Sequence, residues 1–205
     1  MIVYPSESRP NDIYKLMIGS ITPRPIALVS SVSEAGIFNL APYSFFTGVS
    51  ANPPAIGFSP LITQKDKTRD SRNNIEETKE FGVNIVSENL VDRMNVASSD
   101  VPPEVDEFPL SQLTPKRASI ISFPLVKESR INMECRLIEI VEESNKLLGG
   151  AFIIGEVVCF HIDDEVIDNF KIDPNKLDTV GRMGGSSYTR TRDRFELARP
   201  DIKKN

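Results

Sequence analysis

The spacing of apolar and polar positions changes period several times along the chain, and each change marks an element. Residues 11–18, NDIYKLMI, place Ile13, Leu16 and Met17 at helical spacing behind an Asn11 or Asp12 cap, with Gly19 as a stop. Pro23 and Pro25 then force extended backbone, and the β-branched, alternating IALVSSVS predicts a strand over 24–33. Glu34-Ala35-Gly36 turns the chain into two more strands, 37–49 and 54–59, joined by the rigid Asn52-Pro53-Pro54. Helical period returns in DSRNNIEETKEF, where Asp70 or Ser71 caps a helix over about 71–80 and Gly82 follows its last turn. Phe81 to Val86 reverts to a strand. Ser87 then caps a second helix over about 88–98, with Leu90, Met94 and Ala97 on one face.

Pro102, Pro103, Pro109 and Pro115 keep residues 100–123 irregular, and a connection of that length in a compact domain serves as a lid, an arm or an interface. Beyond it, Ile131, Met133, Cys135 and Leu137 alternate with polar neighbours, and Asn145-Lys146 turns the chain into LLGGAFIIGEVVCFHID. These two runs predict a long antiparallel hairpin, 130–142 and 148–162. Six strands joined mostly by turns predict a mainly β fold, a closed or nearly closed antiparallel Greek-key barrel with a few peripheral helices, because closure removes exposed edges. An α/β sheet is the alternative.

Composition narrows the function classes. A chain of 205 residues suits one domain, 1–205. Its net charge of −5, from 24 basic and 29 acidic residues, leaves no electrostatic footprint for a nucleic-acid partner. No apolar run approaches the roughly 18 residues that read as a membrane span. The opening MIVYPSESRPND shows neither a basic leader nor a small-residue cleavage site, so a cytoplasmic location is expected. Two cysteines are too few for a disulfide framework. The single histidine, His161, rules out a His-based metal cluster or a Ser/His/Asp triad elsewhere. With no CxxC, P-loop or GxGxxG, an enzyme built on this chain would rely on an organic cofactor for its reactive atoms.

Candidate cofactor contacts follow from what a phosphate and a flat heterocycle require. Arg69, Asp70 and Ser71 sit at a predicted helix start, where a cation, a hydroxyl and free N–H groups meet; a capped surface helix reads the same way. Ser30 and Ser31 end the first strand and are either turn serines or ligand contacts. In NLAPYS, Pro42 demotes its strand to an edge or bulge that leaves backbone donors unpaired. His161 ends the long strand, either half-exposed or at a barrel rim touching a substrate. Gly181, Gly184 and Gly185 allow close backbone approach, and Tyr188, Arg190 and Arg192 alternate as along one side of a last strand.

In this order, RPIALVSSVSEAGIFNLAPYSFFTGVSANPPAIGFSP, RDSRNNIEETKEFGVNIV, GEVVCFHID and GRMGGSSY resemble the flavin reductase-like, FMN-binding split-barrel family, over roughly residues 13–195. The likeness is greatest to reductase components of two-component flavin monooxygenases, of the nitrilotriacetate monooxygenase component B type. The resemblance implies a homodimer of six-stranded Greek-key barrels that binds FMN near the subunit interface. It implies that Ser30 and Ser31 meet the ribityl-phosphate side and that Asn39, Ala41, Tyr43 and Ser44 hold the isoalloxazine edge. Arg69 and Ser71 would grip the phosphate, standing where the family carries Lys-Asp-Thr, with Lys65, Lys67 and Arg72 as further cations. It places His161, Arg182 and Tyr188 at the substrate side. The implied activity is NAD(P)H-dependent flavin reduction, with NADH or NADPH as donor, FAD as a possible substrate, and a flavin-dependent monooxygenase as a possible partner. An FMN-binding electron carrier of the flavoredoxin kind is the alternative.

Overall fold

The computed structural model describes residues 1–63 and 70–200. Helix α1 (Pro10–Ser20) leads into β1 (Ala27–Val32), β2 (Phe38–Tyr43), β3 (Phe46–Ala51) and β4 (Pro54–Phe58). Helix α2 (Asp70–Thr78) precedes β5 (Glu80–Ile85), and α3 (Val91–Val96) and α4 (Glu107–Ser111) follow. The long hairpin is β6 (Ile131–Glu142) and β7 (Ala151–Ile162), and α5 (Pro174–Leu177) lies beyond it. These seven strands form one antiparallel sheet in the order β2-β1-β5-β6-β7-β4-β3.

The sheet curls on itself. Ala27 and Val29 of β1, Tyr43 of β2, Ile56 and Phe58 of β4, Phe81 and Val83 of β5, Cys135 of β6 and Ile153 and Val157 of β7 share one buried core. Side chains from six strands converge there, so the interior is filled and the two edges, β2 and β3, leave the barrel split. Backbone must come close to an aromatic ring at Gly155, where an added Cβ would stand 2.4 Å from the Phe81 ring. Leu28 and Leu40 point the other way, onto a second core with Leu90, Met94, Ala97 and Phe108. Strand β1 is therefore buried on both faces, which explains its nearly unbroken apolar run.

Several boundaries differ from the sequence expectation. The barrel has seven strands rather than six, because 37–49 breaks at Ser44-Phe45, where the chain crosses from one sheet edge to the other. Pro42 pairs with Leu28 in an edge strand, in keeping with its missing N–H. Gly19 does not stop α1, and Gly82 does not end α2. The left-handed Lys79 ends α2 (φ 63), while Gly82 lies within β5, where a side chain would meet Ser30 Oγ at 2.4 Å. The expected helix 88–98 is a single 3-10 turn followed by the six-residue α3. Segment 100–123 is a packed arm: it contains α4 and buries Phe108, Leu113, Ile121 and Phe123.

Candidate functional site

A cleft of about 310 Å³ opens where β2, the start of α2, α4 and the residues after α3 meet. That volume lies within the ordinary range for a small-molecule site. Asn39, Ala41, Tyr43, Ser44 and Ser71 all line it, together with Asp70, Ser98, Ser99, Asp100 and Glu107. Strand alternation puts Asn39, Ala41 and Tyr43 on one face of β2, which aims them at α2. Asn39 Nδ2 donates to Ser71 Oγ at 2.7 Å and Tyr43 Oη donates to the same oxygen at 3.0 Å. With both acceptor directions taken, the Ser71 hydroxyl proton is left for a ligand acceptor. Ser71 also lies in the first turn of the nine-residue α2, whose leading N–H groups have no partner within the helix.

Other predicted contacts are placed differently. Ser30 and Ser31 are fully buried and do not line the cleft. Ser30 Oγ accepts from Asn84 Nδ2 at 3.3 Å, and Ser31 Oγ accepts from Asn74 Nδ2 at 3.2 Å. Ser31 thereby braces α2 from behind. Arg69, Lys65 and Lys67 lie outside the described residues, and Arg72 pairs with Glu142 at 2.5 Å. The Arg182 guanidinium sits 4.4 Å over the Tyr188 ring. Both line a recess of about 150 Å³ that shares Pro42, Tyr43, Ser44 and Ser98 with the cleft. An apolar recess of about 580 Å³ adjoins on another side, sharing Tyr14, Phe45, Ser59, Leu61 and Leu148.

His161 does end the long strand, but it lines a separate recess with Lys116, Lys127 and Arg130. Its Nε2 lies 2.5 Å from Oε1 of Glu134, a fully buried carboxylate. Glu134 also accepts from the N–H groups of Ser119, Ile120 and Ile121, each at 2.7 Å. Burial alone would raise this carboxyl; the His161 contact and the three N–H groups outweigh burial and bring it down to about 2.

Two functional features escaped the sequence reading. Arg24 is 4% exposed, and its guanidinium donates to the carbonyls of Ile18 (2.7 Å), Ile21 (2.6 Å) and Met183 (3.0 Å) and to Ser44 Oγ (3.2 Å). It ties α1, the bend after β2 and the C-terminal segment into one wall of the site. Glu107 sits at the cleft with 6% exposure, and its Oε2 accepts from the Leu40 N–H at 3.0 Å. Burial pushes its pKa up to about 7; the Leu40 and Glu107 N–H groups work against that rise, and Asp70 and Asp106 add to it. A raised carboxyl favours folding below its unfolded value of 4.5, and that contribution is lost as pH rises through 7. Glu107→Gln is therefore expected to be more stable than the parent at pH 8, by roughly 1–2 kcal/mol after allowance for screening by cleft water. Thermal melts at pH 5 and 8 check this, and an advantage that persists unchanged at pH 5 would contradict it.

The family profile of the flavin reductase like domain matches residues 18–176, and the protein belongs to that family. Its barrel is most informatively compared with three solved structures. Nitrilotriacetate monooxygenase component B from Bacillus cereus is 36% identical, covering 96% of this chain and 98% of that one, with a TM-score of 0.92. The 2-nitrobenzoate 2-nitroreductase NbaA of Pseudomonas fluorescens is 30% identical over 100% and 99% of the two chains, with a TM-score of 0.88. Flavoredoxin of Desulfovibrio vulgaris shares the fold at 20% identity, over 96% and 97%, with a TM-score of 0.74. Among the described residues no helix is long and apolar enough to cross a membrane.

Proposed function

We propose that the protein is an NAD(P)H-dependent flavin reductase that holds FMN in the cleft between β2 and α2. The observation that carries this reading is the Asn39–Tyr43–Ser71 interlock, which leaves a hydroxyl proton and a helix start facing one hollow in a chain of the flavin reductase like family. The residues present fit the group. Ser71 and Ser99 supply hydroxyls to a phosphate or ribityl chain, and the edge strand β2 presents Asn39, Ala41, Tyr43 and Ser44 to a flat ring. Arg69, with Lys65 and Lys67, belongs to this proposal as the source of positive charge before α2.

FMN, when bound, supplies the acceptor for a hydride from a nicotinamide. The protein's own tasks are to bind, to orient and to exclude water. Arg24 fixes the Ser44 wall, Tyr43 and Asn39 hold the Ser71 hydroxyl in place, and the Arg182–Tyr188 stack forms the margin for a substrate. Ser30 and Ser31 serve this site through the sheet and α2. Among the described residues His161 lines a recess apart from the cleft, so its substrate role is proposed together with a homodimer that completes the site. A monooxygenase that consumes the reduced flavin is the proposed partner, by likeness to the Bacillus cereus component.

The test is anaerobic. Protein loaded with FMN is expected to bleach on addition of NADH or NADPH. Bleaching by a chemical reductant but by neither nucleotide would replace this reading with that of an electron carrier.

A further inference from the structure

We propose that Glu134, Cys159 and His161 form a binding site for a zinc-class divalent cation on one face of the long hairpin, apart from the flavin cleft. The inference does not depend on the flavin reading.

The hairpin brings the three side chains together. Register sets Glu134 of β6 opposite Cys159 of β7 and Asn132 opposite His161. Cys159 and His161 lie two residues apart on one strand, so both project to the same face, across from Glu134. A carboxylate oxygen, the Cys159 sulfur and an imidazole nitrogen all fall within 4.8 Å of one another, the one such group of His, Cys, Asp or Glu among the described residues. Oxygen, nitrogen and sulfur donors in a threesome suit Zn²⁺, which takes three protein ligands and keeps a fourth position open.

The carboxylate is built as a fixed ligand. Glu134 is fully buried, and the N–H groups of Ser119, Ile120 and Ile121 hold it from the arm side at 2.7 Å each. Such outer partners orient a ligand and keep its position when a metal enters. One direction of Oε1 takes the Ser119 N–H, and the other meets His161 Nε2 at 2.5 Å. That short contact holds a proton between two atoms that would both ligate a metal. Donors around a tetrahedral Zn²⁺ stand about 3.3–3.6 Å apart, given bond lengths of about 2.0–2.3 Å. The imidazole must therefore draw back by roughly 1 Å. It is the side chain free to do so, since it lines an open recess of about 680 Å³ through which a cation can enter.

Charge also balances. The Cys159 thiol gives its proton to the buffer, the imidazole ligates as the neutral ring with its proton on Nδ1, and thiolate and carboxylate offset the two charges of the metal. Positive side chains share the recess, but Arg93 pairs with Glu128 at 3.5 Å, Arg130 with Glu165 at 3.2 Å, and Lys116 donates to Asn132 Oδ1 at 3.3 Å. With Lys127 also there, the surrounding field does not attract cations, so binding depends on the donor atoms. Mg²⁺ and Ca²⁺, which need several oxygen ligands, should be refused.

The experiment uses chelator-treated full-length protein. Addition of Co²⁺ should give one-to-one binding with a thiolate-to-cobalt charge-transfer band in the near ultraviolet, read as a difference spectrum, and Zn²⁺ should bleach the band by displacement. Cys159→Ser should abolish the band, Cys135→Ala should keep it, and His161→Gln should weaken Zn²⁺ binding in calorimetry by at least about tenfold. Glu134 is left intact because it braces the arm. No band in the wild type overturns the site without recourse to any variant. A band that survives Cys159→Ser, unchanged Zn²⁺ affinity in His161→Gln, or equal binding of Mg²⁺ or Ca²⁺ overturns it as well. Loss of the metal with FMN binding intact leaves the flavin reading standing, so the two fail separately.

Discussion

Replacement of Glu134 by alanine is expected to remove about 3–5 kcal/mol of folding stability, the usual loss when one member of a buried polar cluster is deleted. The three N–H groups of Ser119, Ile120 and Ile121 converge on this one carboxylate and would lose it as their acceptor. A domain of ordinary stability, about 5–15 kcal/mol, would lose a large part of its margin. Chemical denaturation monitored by circular dichroism gives the measurement. Glu134→Gln, which keeps one carbonyl oxygen but turns an amide NH₂ toward N–H donors, should lie between alanine and wild type. A loss below about 1 kcal/mol for alanine would mean that water replaces the carboxylate at these groups. Because this carboxyl is held near 2, its contribution is complete above 4.5 and is lost only as pH falls through 2. Its removal should therefore be felt throughout the neutral range. His161 loses its Nε2 partner in the same variant, so any function of that imidazole should be altered as well.

Arg24→Ala is expected to act on both stability and binding. Three carbonyl oxygens and a hydroxyl lose their donor in a wall that is 4% exposed at this residue, a loss of about 3–4 kcal/mol by the same reasoning. The C-terminal end of α1 should fray, because Ile18 and Ile21 are in its last turn and just beyond it. Release of Ser44 should loosen the cleft and weaken FMN binding tenfold or more. Hydrogen exchange across residues 10–24 and flavin titration read the two effects separately. Arg24→Lys should restore little, since a single ammonium cannot reach both helix carbonyls, Met183 and Ser44 at once. Unchanged exchange in α1 together with unchanged affinity would show that the wall stands without Arg24.

The barrel was legible from the sequence because its signal is local. Period-two runs at 131–142 and 151–162, proline-bounded strands at 27–32 and 54–58, and a polar helix start before Ser71 survive in any window of ten residues. The grouping of Asn39, Ala41, Tyr43, Ser44 and Ser71 came from resemblance to a family, and the structure puts all five on one cleft. Ser30 and Ser31 read either as turn serines, which are common there, or, by resemblance to the family, as ligand contacts; sheet register hands their hydroxyls to Asn84 and Asn74. The arm at 100–123 read as irregular because prolines hide a five-residue helix whose only strong cue is the Asp106 cap.

The sequence by itself determined the alternation that builds the barrel and the lack of a second histidine for a cluster or triad away from His161, since composition and short-range periodicity do not depend on which segments meet; its motifs, by resemblance, pointed to a flavin reductase family. Only the tertiary structure decided that Glu107 stands beside Asp70 across 37 residues of chain, that Arg24 reaches Met183, and that His161 is held by Glu134 away from the cleft. Burial and the meeting of charges are properties of the folded surface. They arise when strands distant in sequence close into one barrel and carry polar side chains into places where water no longer screens them.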